Sequence, residues 1–268
     1  MRKIPILICV IAVLCTCTNH PLTGKNNMAF ISNSQLFPMA FSQYNDFLNE
    51  NTVVTGTKDA QMLERVGNKI VEAAQKLLEA EGRPDYLDDY RWEFKLVQND
   101  QINAWAMPGG KVVFFTGILP VTMTEAGIAV VMGHEIAHAI LNHGQQRLSA
   151  DILKQIAALG LSLATVDQSP EAQALIMLAF GVGSELGGTL PFSRKQEYEA
   201  DQYGTILMAI AGYNPDEAVV FWERMTNAGS GGIPEFLSTH PSDANRIKHL
   251  QSVAIEAKEK AELFKVIF

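Results

Sequence analysis

VMGHEIAHAILNH, running from Val131 to His143, decides how this chain is read. Positions 134 and 138 lie one helical turn apart, so both imidazoles leave the same face and can reach one metal ion. Glu135 lies one position round the helix. A carboxylate there is too poorly aligned to be a third ligand, but it suits a general base acting on a water at the metal. A longer motif with Gly at 141 and His at 144 is excluded, because the chain has Leu141 and Gly144. His143 follows His138 by five positions, out of helical phase, and is expected to pack or cap.

Two histidines leave a coordination sphere open, so a further ligand has to come from downstream. SRKQEYEADQYG, Ser193 to Gly204, supplies carboxylates on a helical stretch. Glu197 and Asp201 share a face, so one can bind the metal while the other accepts the outer ring N–H of a ligand histidine. Glu199 is expected to face solvent.

The 268 residues suffice for one domain of ordinary core size. Cys9, Cys15 and Cys17 all fall near the N-terminus, so the folded body has no internal disulfide and cysteine reports on targeting. Arg2 and Lys3 followed by the apolar run IPILICVIAVLCT read as a signal peptide over residues 1–16. Leu14-Cys15-Thr16-Cys17 is similar to a lipobox, although Thr16 replaces its usual small residue. Cys17 is the expected lipidation site, residues 17–34 a lipidated tether, and residues 35–268 the folded domain; secretion without a lipid is the alternative. The formal net charge of -8, more negative still once Arg2 and Lys3 are removed, argues against a nucleic-acid partner and against adhesion to anionic headgroups. Attachment to a membrane would then come from the acyl chains.

Between these landmarks, Met62, Val66, Ile70, Val71, Ala74, Leu77 and Leu78 recur at helical spacing and predict a surface helix over 57–80. Trp92, Phe94 and Leu96 alternate with charged residues as in a half-buried strand. Residues 102–116 predict a hairpin turning at Met107-Pro108-Gly109-Gly110. Thr122 with Glu125 fits a capping box, so the helix carrying the opening motif is expected from there to Asn142 or His143. The apolar runs within 152–190 are too short to span a bilayer and predict two short buried helices. A glycine-rich loop lies at 228–235, Asn214-Pro215 opens a helix bearing Phe221 and Trp222, and Pro241 opens the C-terminal helix.

HEIAH, SRKQEYEAD and STHPSDANRI, in this order and spacing, resemble the HtpX and CAAX prenyl protease type-one family of zinc metalloendopeptidases. The likeness begins near Phe37 and includes the NAWAMPGG hairpin. With its lipobox and without long apolar spans, the chain looks like the periplasmic lipoprotein branch that includes BepA and LoiP. The resemblance implies an α+β, mainly helical zincin of gluzincin type, whose small antiparallel sheet borders the active-site cleft with its edge strand. It implies one Zn2+ per chain on His134, His138 and Glu197, a zinc-bound water activated by Glu135, and Asp201 orienting a ligand. His240 of the His-Pro motif would lie by the metal and either block or assist catalysis. Arg246 would be an active-site or salt-bridge residue. Asn103, Ala104, Trp105, Ala106 and Met107 would form a substrate-binding strand. The expected function is hydrolysis of misfolded or unassembled cell-envelope proteins in the periplasm, from an outer-membrane lipid anchor and beside outer-membrane assembly machinery. The alternative is an envelope chaperone that binds unfolded outer-membrane proteins with little proteolysis.

Overall fold

A helix that is apolar on every side has to sit at the centre of a fold. Glu125–Ile140 does so: every residue from Gly127 to Ile140 is buried. The computed structural model describes residues 17–185, 190–228, 234–240 and 245–268. The expected signal peptide, most of the glycine-rich loop and Pro241 lie outside the described residues. In chain order the elements are β1 (Cys17–Asn19), β2 (Asn26–Met28), α1 (Asn33–Glu50), β3 (Val53–Val54), α2 (Lys58–Ala80), β4 (Glu93–Val97), β5 (Ala104–Met107) and β6 (Lys111–Phe115). There follow α3 (Leu119–Thr122), α4 (Glu125–Ile140), α5 (His143–Ala164), α6 (Pro170–Ser184), α7 (Leu190–Ile210), α8 (Glu217–Asn227), α9 (Glu235–Thr239) and α10 (Arg246–Glu262). The fold is α+β and mainly helical, as expected.

The amphipathic α2 starts at Thr57, whose hydroxyl accepts from the Ala60 amide at 3.2 Å, and it buries Val66, Ile70, Ala74 and Leu77 towards α4. Gly67 of the same helix lies against the Phe94 ring of a sheet of order β3-β4-β6-β5. The sheet corrects the antiparallel expectation: β4 pairs with β6 in parallel, Glu93 opposite Lys111 and Val97 opposite Phe115, whereas β5–β6 and β3–β4 are antiparallel. The reason is burial. Val112 to Phe115 are all buried, so β6 takes an inner position between β4 and β5, while Trp105 to Met107 are half-buried and β5 is left at the edge. At the β5–β6 turn Gly109 and Gly110 have φ of 85° and 97°, and a Cβ on Gly110 would stand 2.8 Å from the Trp92 ring.

The start of α4 also differs from the capping-box expectation. Thr122 ends the short α3, Met123 takes φ 58°, and Thr124 caps α4 by accepting from the Gly127 amide at 3.0 Å. Glu125 instead pairs with Arg65 at 2.6 Å and accepts from the Tyr213 hydroxyl at 2.7 Å. Helix α4 crosses α7 at Gly133 and Gly204, so the two motif-bearing helices touch backbone to backbone.

Residues 17–34, expected as a tether, are folded onto the body. The buried His20 donates from Nε2 to the Ile140 carbonyl at 2.8 Å, Tyr203 donates to the Leu22 carbonyl at 2.6 Å, and the Phe30 amide donates to Ser149 Oγ at 3.1 Å. The side chain of Cys17 lies outside the described residues. The two helices expected to be buried near the site are also different: α5 and α6 pair with each other and expose Ile156, Leu159, Leu163, Leu175 and Leu178, each at least 60 % accessible. The first turns of α5 pack on the body and bury His143, Gln146 and Ser149, but the rest of the pair leaves these apolar side chains uncovered. Among the described residues no single helix is long and apolar enough to cross a membrane. The C-terminal helix runs from Arg246, after Asn245; Pro241, expected to open it, lies outside the described residues.

Candidate metal centre

His134 and His138 project from one side of α4 and Glu197 from the facing side of α7, close enough because Gly133 and Gly204 let the helices approach. His240, at the end of α9, completes the cluster, and all four side chains are buried. Nε2 of His134 stands 3.1 Å from Nε2 of His138, 3.1 Å from Nδ1 of His240 and 3.2 Å from Oε2 of Glu197. Glu197 reaches His138 Nε2 at 3.4 Å and His240 Nδ1 at 3.0 Å through its two oxygens. Donors bound tetrahedrally to zinc at 2.0–2.1 Å stand about 3.3 Å apart, so these spacings and this nitrogen and carboxylate set fit one zinc ion.

Partners behind the donors fix their orientation. His134 Nδ1 lies 3.0 Å from Asp201 Oδ1. Arg246 grips the same carboxylate through Nε and Nη2, both at 2.8 Å, and stacks on Trp222 with its guanidinium carbon 3.4 Å from a ring centre. Arg246 also donates to the His240 carbonyl at 3.3 Å, so one buried guanidinium ties both ends of the cluster together. Burial would raise Asp201, but the Arg246 charge outweighs it and holds the carboxyl below its usual range. For His134 burial alone would lower the pKa; the hydrogen bonds to Asp201 and Glu197 prevail and raise it to about 9. Glu197 is held well below the carboxylate range, since His138 and His240 overcome its burial, and burial pushes His138 down.

Glu135 is aligned for a different task. It is 2 % exposed, burial raises its pKa, and its Oε1 has no hydrogen-bond partner, with His240 Nε2 at 3.3 Å. The cleft beside it is lined by Asn103, Trp105 and Ala106, with Arg147 across from them. The Phe115 amide donates to the Asn103 carbonyl at 3.0 Å, so residues 103, 105 and 107 carry the ladder to β6 and the backbone of Ala104 and Ala106 points to the open edge. Ala104 N–H is taken by Asn103 Oδ1 at 2.9 Å. The structure thus brings Asn103, Trp105 and Ala106 of the expected strand, the base and the donors to one cleft; Met107, the last residue of β5, packs beside Tyr44 and Phe115 instead.

Several residues at the centre were missed or misassigned in the sequence. Helix α4 ends at Ile140, Asn142 adopts φ 57°, and the chain turns back so that His143 Nδ1 lies 2.8 Å from His138 Nδ1. The helical-phase argument for His143 fails because the helix has already stopped. Glu199, expected in solvent, is only 14 % exposed and contacts His143 at 3.3 Å and Lys25. Arg147 reaches Glu197 at 3.2 Å. Asn142 was the available signal, since Asn is a residue that ends helices in the left-handed region.

The family model for Peptidase family M48 matches residues 61–254, which includes every buried donor of this cluster. The chain belongs to peptidase family M48. Among the M48 relatives it is 35 % identical over 205 residues to mitochondrial metalloendopeptidase OMA1 of Saccharomyces cerevisiae, covering 74 % of this chain and 56 % of that protein. It is 29 % identical over 253 residues to human mitochondrial metalloendopeptidase OMA1, covering 91 % and 47 %. It is 31 % identical over 189 residues to the beta-barrel assembly-enhancing protease of Escherichia coli, covering 65 % and 38 %. The chain spans about half the length of the curated relatives it matches. The family expected from the motifs is therefore correct, while these matches do not single out a periplasmic lipoprotein branch within M48.

Proposed function

We propose that this M48 chain is a zinc-dependent endopeptidase acting on extended segments of misfolded or unassembled cell-envelope proteins. The observation that carries the reading is Glu135, a buried carboxylate with an unpartnered oxygen between a four-donor cluster and an open strand edge. His134, His138 and Glu197 would hold the zinc, with Asp201 orienting His134. Bound there, zinc supplies a Lewis acid that polarises the scissile carbonyl and makes water easier to deprotonate. Glu135 takes the proton of the attacking water on Oε1 and then delivers it to the leaving amine; its raised pKa suits both halves of that exchange. The outward backbone of Ala104 and Ala106 aligns the substrate as an added strand, and main-chain pairing is largely indifferent to sequence.

His240 gives the site a resting state. Its Nδ1 stands among the other donors, and four protein donors make the closed sphere of a structural site, not the open one of a catalyst. We take this arrangement to be latent, with His240 withdrawing before substrate is cleaved. The same closure is what supports the second reading, a binding factor for unfolded outer-membrane proteins with little turnover. Anchorage by a lipid on Cys17, in the periplasm at the outer membrane, remains part of the proposal. The name of the Escherichia coli relative supports a place beside assembly machinery there, and the mitochondrial relatives support the endopeptidase activity alone. The deciding experiment is cleavage of an unfolded protein by the zinc-loaded chain beside Glu135→Gln at matched zinc content. Cleavage by the first alone supports the endopeptidase; equal cleavage by both removes Glu135 as its base, and binding without cleavage by both, with His240→Ala silent as well, removes the endopeptidase.

A further inference from the structure

We propose that His143, Glu199 and Lys25 form a positioning relay for His138, through which the folded N-terminal segment sets how tightly the metal is held. The inference rests on the reading that His138 binds zinc through Nε2. That nitrogen faces the other donors, so the ring proton must sit on Nδ1, and a ligand histidine is oriented by whatever accepts that proton. The acceptor is Nδ1 of His143, at 2.8 Å.

One tautomer satisfies the contact. Nδ1 of His143 can accept only as a bare lone pair, which places the His143 proton on Nε2, and that nitrogen faces Glu199 Oε2 at 3.3 Å. The other oxygen of Glu199 accepts from the Lys25 ammonium. Every donor therefore has an acceptor, from the metal-facing imidazole to a half-exposed lysine. His143 is 1 % exposed and spends both ring nitrogens on this chain, which a histidine placed only for packing would not do.

Lys25 is carried there by the segment that precedes α1. The segment forms a tight turn, with the Gly24 amide donating to the His20 carbonyl at 2.8 Å and the His20 amide to the Lys25 carbonyl at 2.9 Å. It is latched on both motif-bearing helices, by His20 on the Ile140 carbonyl at the end of α4 and by Tyr203 of α7 on the Leu22 carbonyl. Docking of this turn fixes the Glu199 carboxylate, and Glu199 fixes His143.

The test uses the whole chain and two readouts other than cleavage. The zinc dissociation constant is measured by chelator competition, and the His138 Nδ1–H resonance is followed by NMR in zinc-loaded protein with 15N-labelled histidine. His143→Ala should weaken zinc on the order of 10- to 100-fold and abolish the protected resonance. Glu199→Gln and Lys25→Met should weaken it less, in that order, and Lys25→Arg should restore the original affinity. Unchanged zinc affinity in His143→Ala, or a protected Nδ1–H that survives there, overturns the relay. Should His143→Ala fail to fold, unchanged affinity in both Glu199→Gln and Lys25→Met overturns it equally. Zinc loss in this order in a chain that never cleaves upholds the relay without the endopeptidase, and wild-type chain that binds no zinc removes both.

Discussion

Gly133 and Gly204 meet backbone to backbone: a Cβ on Gly133 would stand 2.5 Å from the Gly204 carbonyl oxygen, and one on Gly204 would stand 2.7 Å from the Gly133 carbonyl carbon. Neither neighbour is a flexible side-chain end, so the helices must part to admit a methyl group. Gly133→Ala should destabilise the fold by about 1–3 kcal/mol, the usual range for overpacking, and lower zinc affinity as well, since His134 and Glu197 sit on the separating helices. Urea denaturation with zinc titration checks this. Unchanged stability would mean that the approach is looser than the backbone contact implies.

His240→Ala removes one of four donors and leaves His134, His138 and Glu197 in place. Zinc should be retained, and cleavage of an unfolded protein should rise several-fold as the fourth position opens to water. Retained zinc with activity no higher than the wild type would sink the latency reading and favour a His240 that assists the reaction.

Metal binding should depend on pH through His134. Its folded pKa, about 9 in the metal-free protein, lies above the ordinary value of 6.5. The stabilising effect of that proton is full below 6.5 and is lost as pH rises through 9. The proton must leave before Nε2 can donate to zinc, so affinity moves the opposite way and should increase about tenfold per pH unit between 7 and 8.5. Glu197, held well below the carboxylate range, stays ionised over that span and adds no slope. Chelator competition at several pH values reads this directly, and a flat profile would show that His134 is already neutral.

The parts of the site legible in the sequence obey local rules. His134 and His138 share a helix face, Glu197 and Asp201 share another, and the Met107–Gly110 turn forces a hairpin. The parts that were not legible depend on where a helix stops and what covers it. His143 reads as off-axis while α4 is extended to it, and becomes a neighbour of His138 only once Asn142 turns the chain. Glu199 points away from the donors on α7, and its partner Lys25 is 174 residues distant, in a segment whose polar composition reads as tether. The parallel pairing of β4 with β6 follows from which hairpin strand is buried on both faces, a competition between strands that alternation along either one does not express.

Arg246 is where the site and the fold depend on one group. It is 2 % exposed, and its bidentate grip on Asp201 compensates a carboxylate that is also 2 % exposed. Arg246→Ala would leave Asp201 buried without its cation, which costs about 3–5 kcal/mol, and would free His134 and His240 from a common support. Arg246→Lys keeps the charge but loses the fork and the stacking on Trp222, so it should fall between. Asp201 has a lowered pKa, so its stabilising effect is present above the ordinary carboxylate value and is lost as pH falls through the folded one. Arg246→Ala removes that contribution, so its destabilisation relative to the wild type should be largest near neutral pH and should narrow as pH falls through the Asp201 carboxyl. Denaturation of zinc-free protein separates this role from metal binding: Arg246→Ala should be destabilised with or without zinc. A loss confined to the zinc-loaded form would make Arg246 a support for the metal alone.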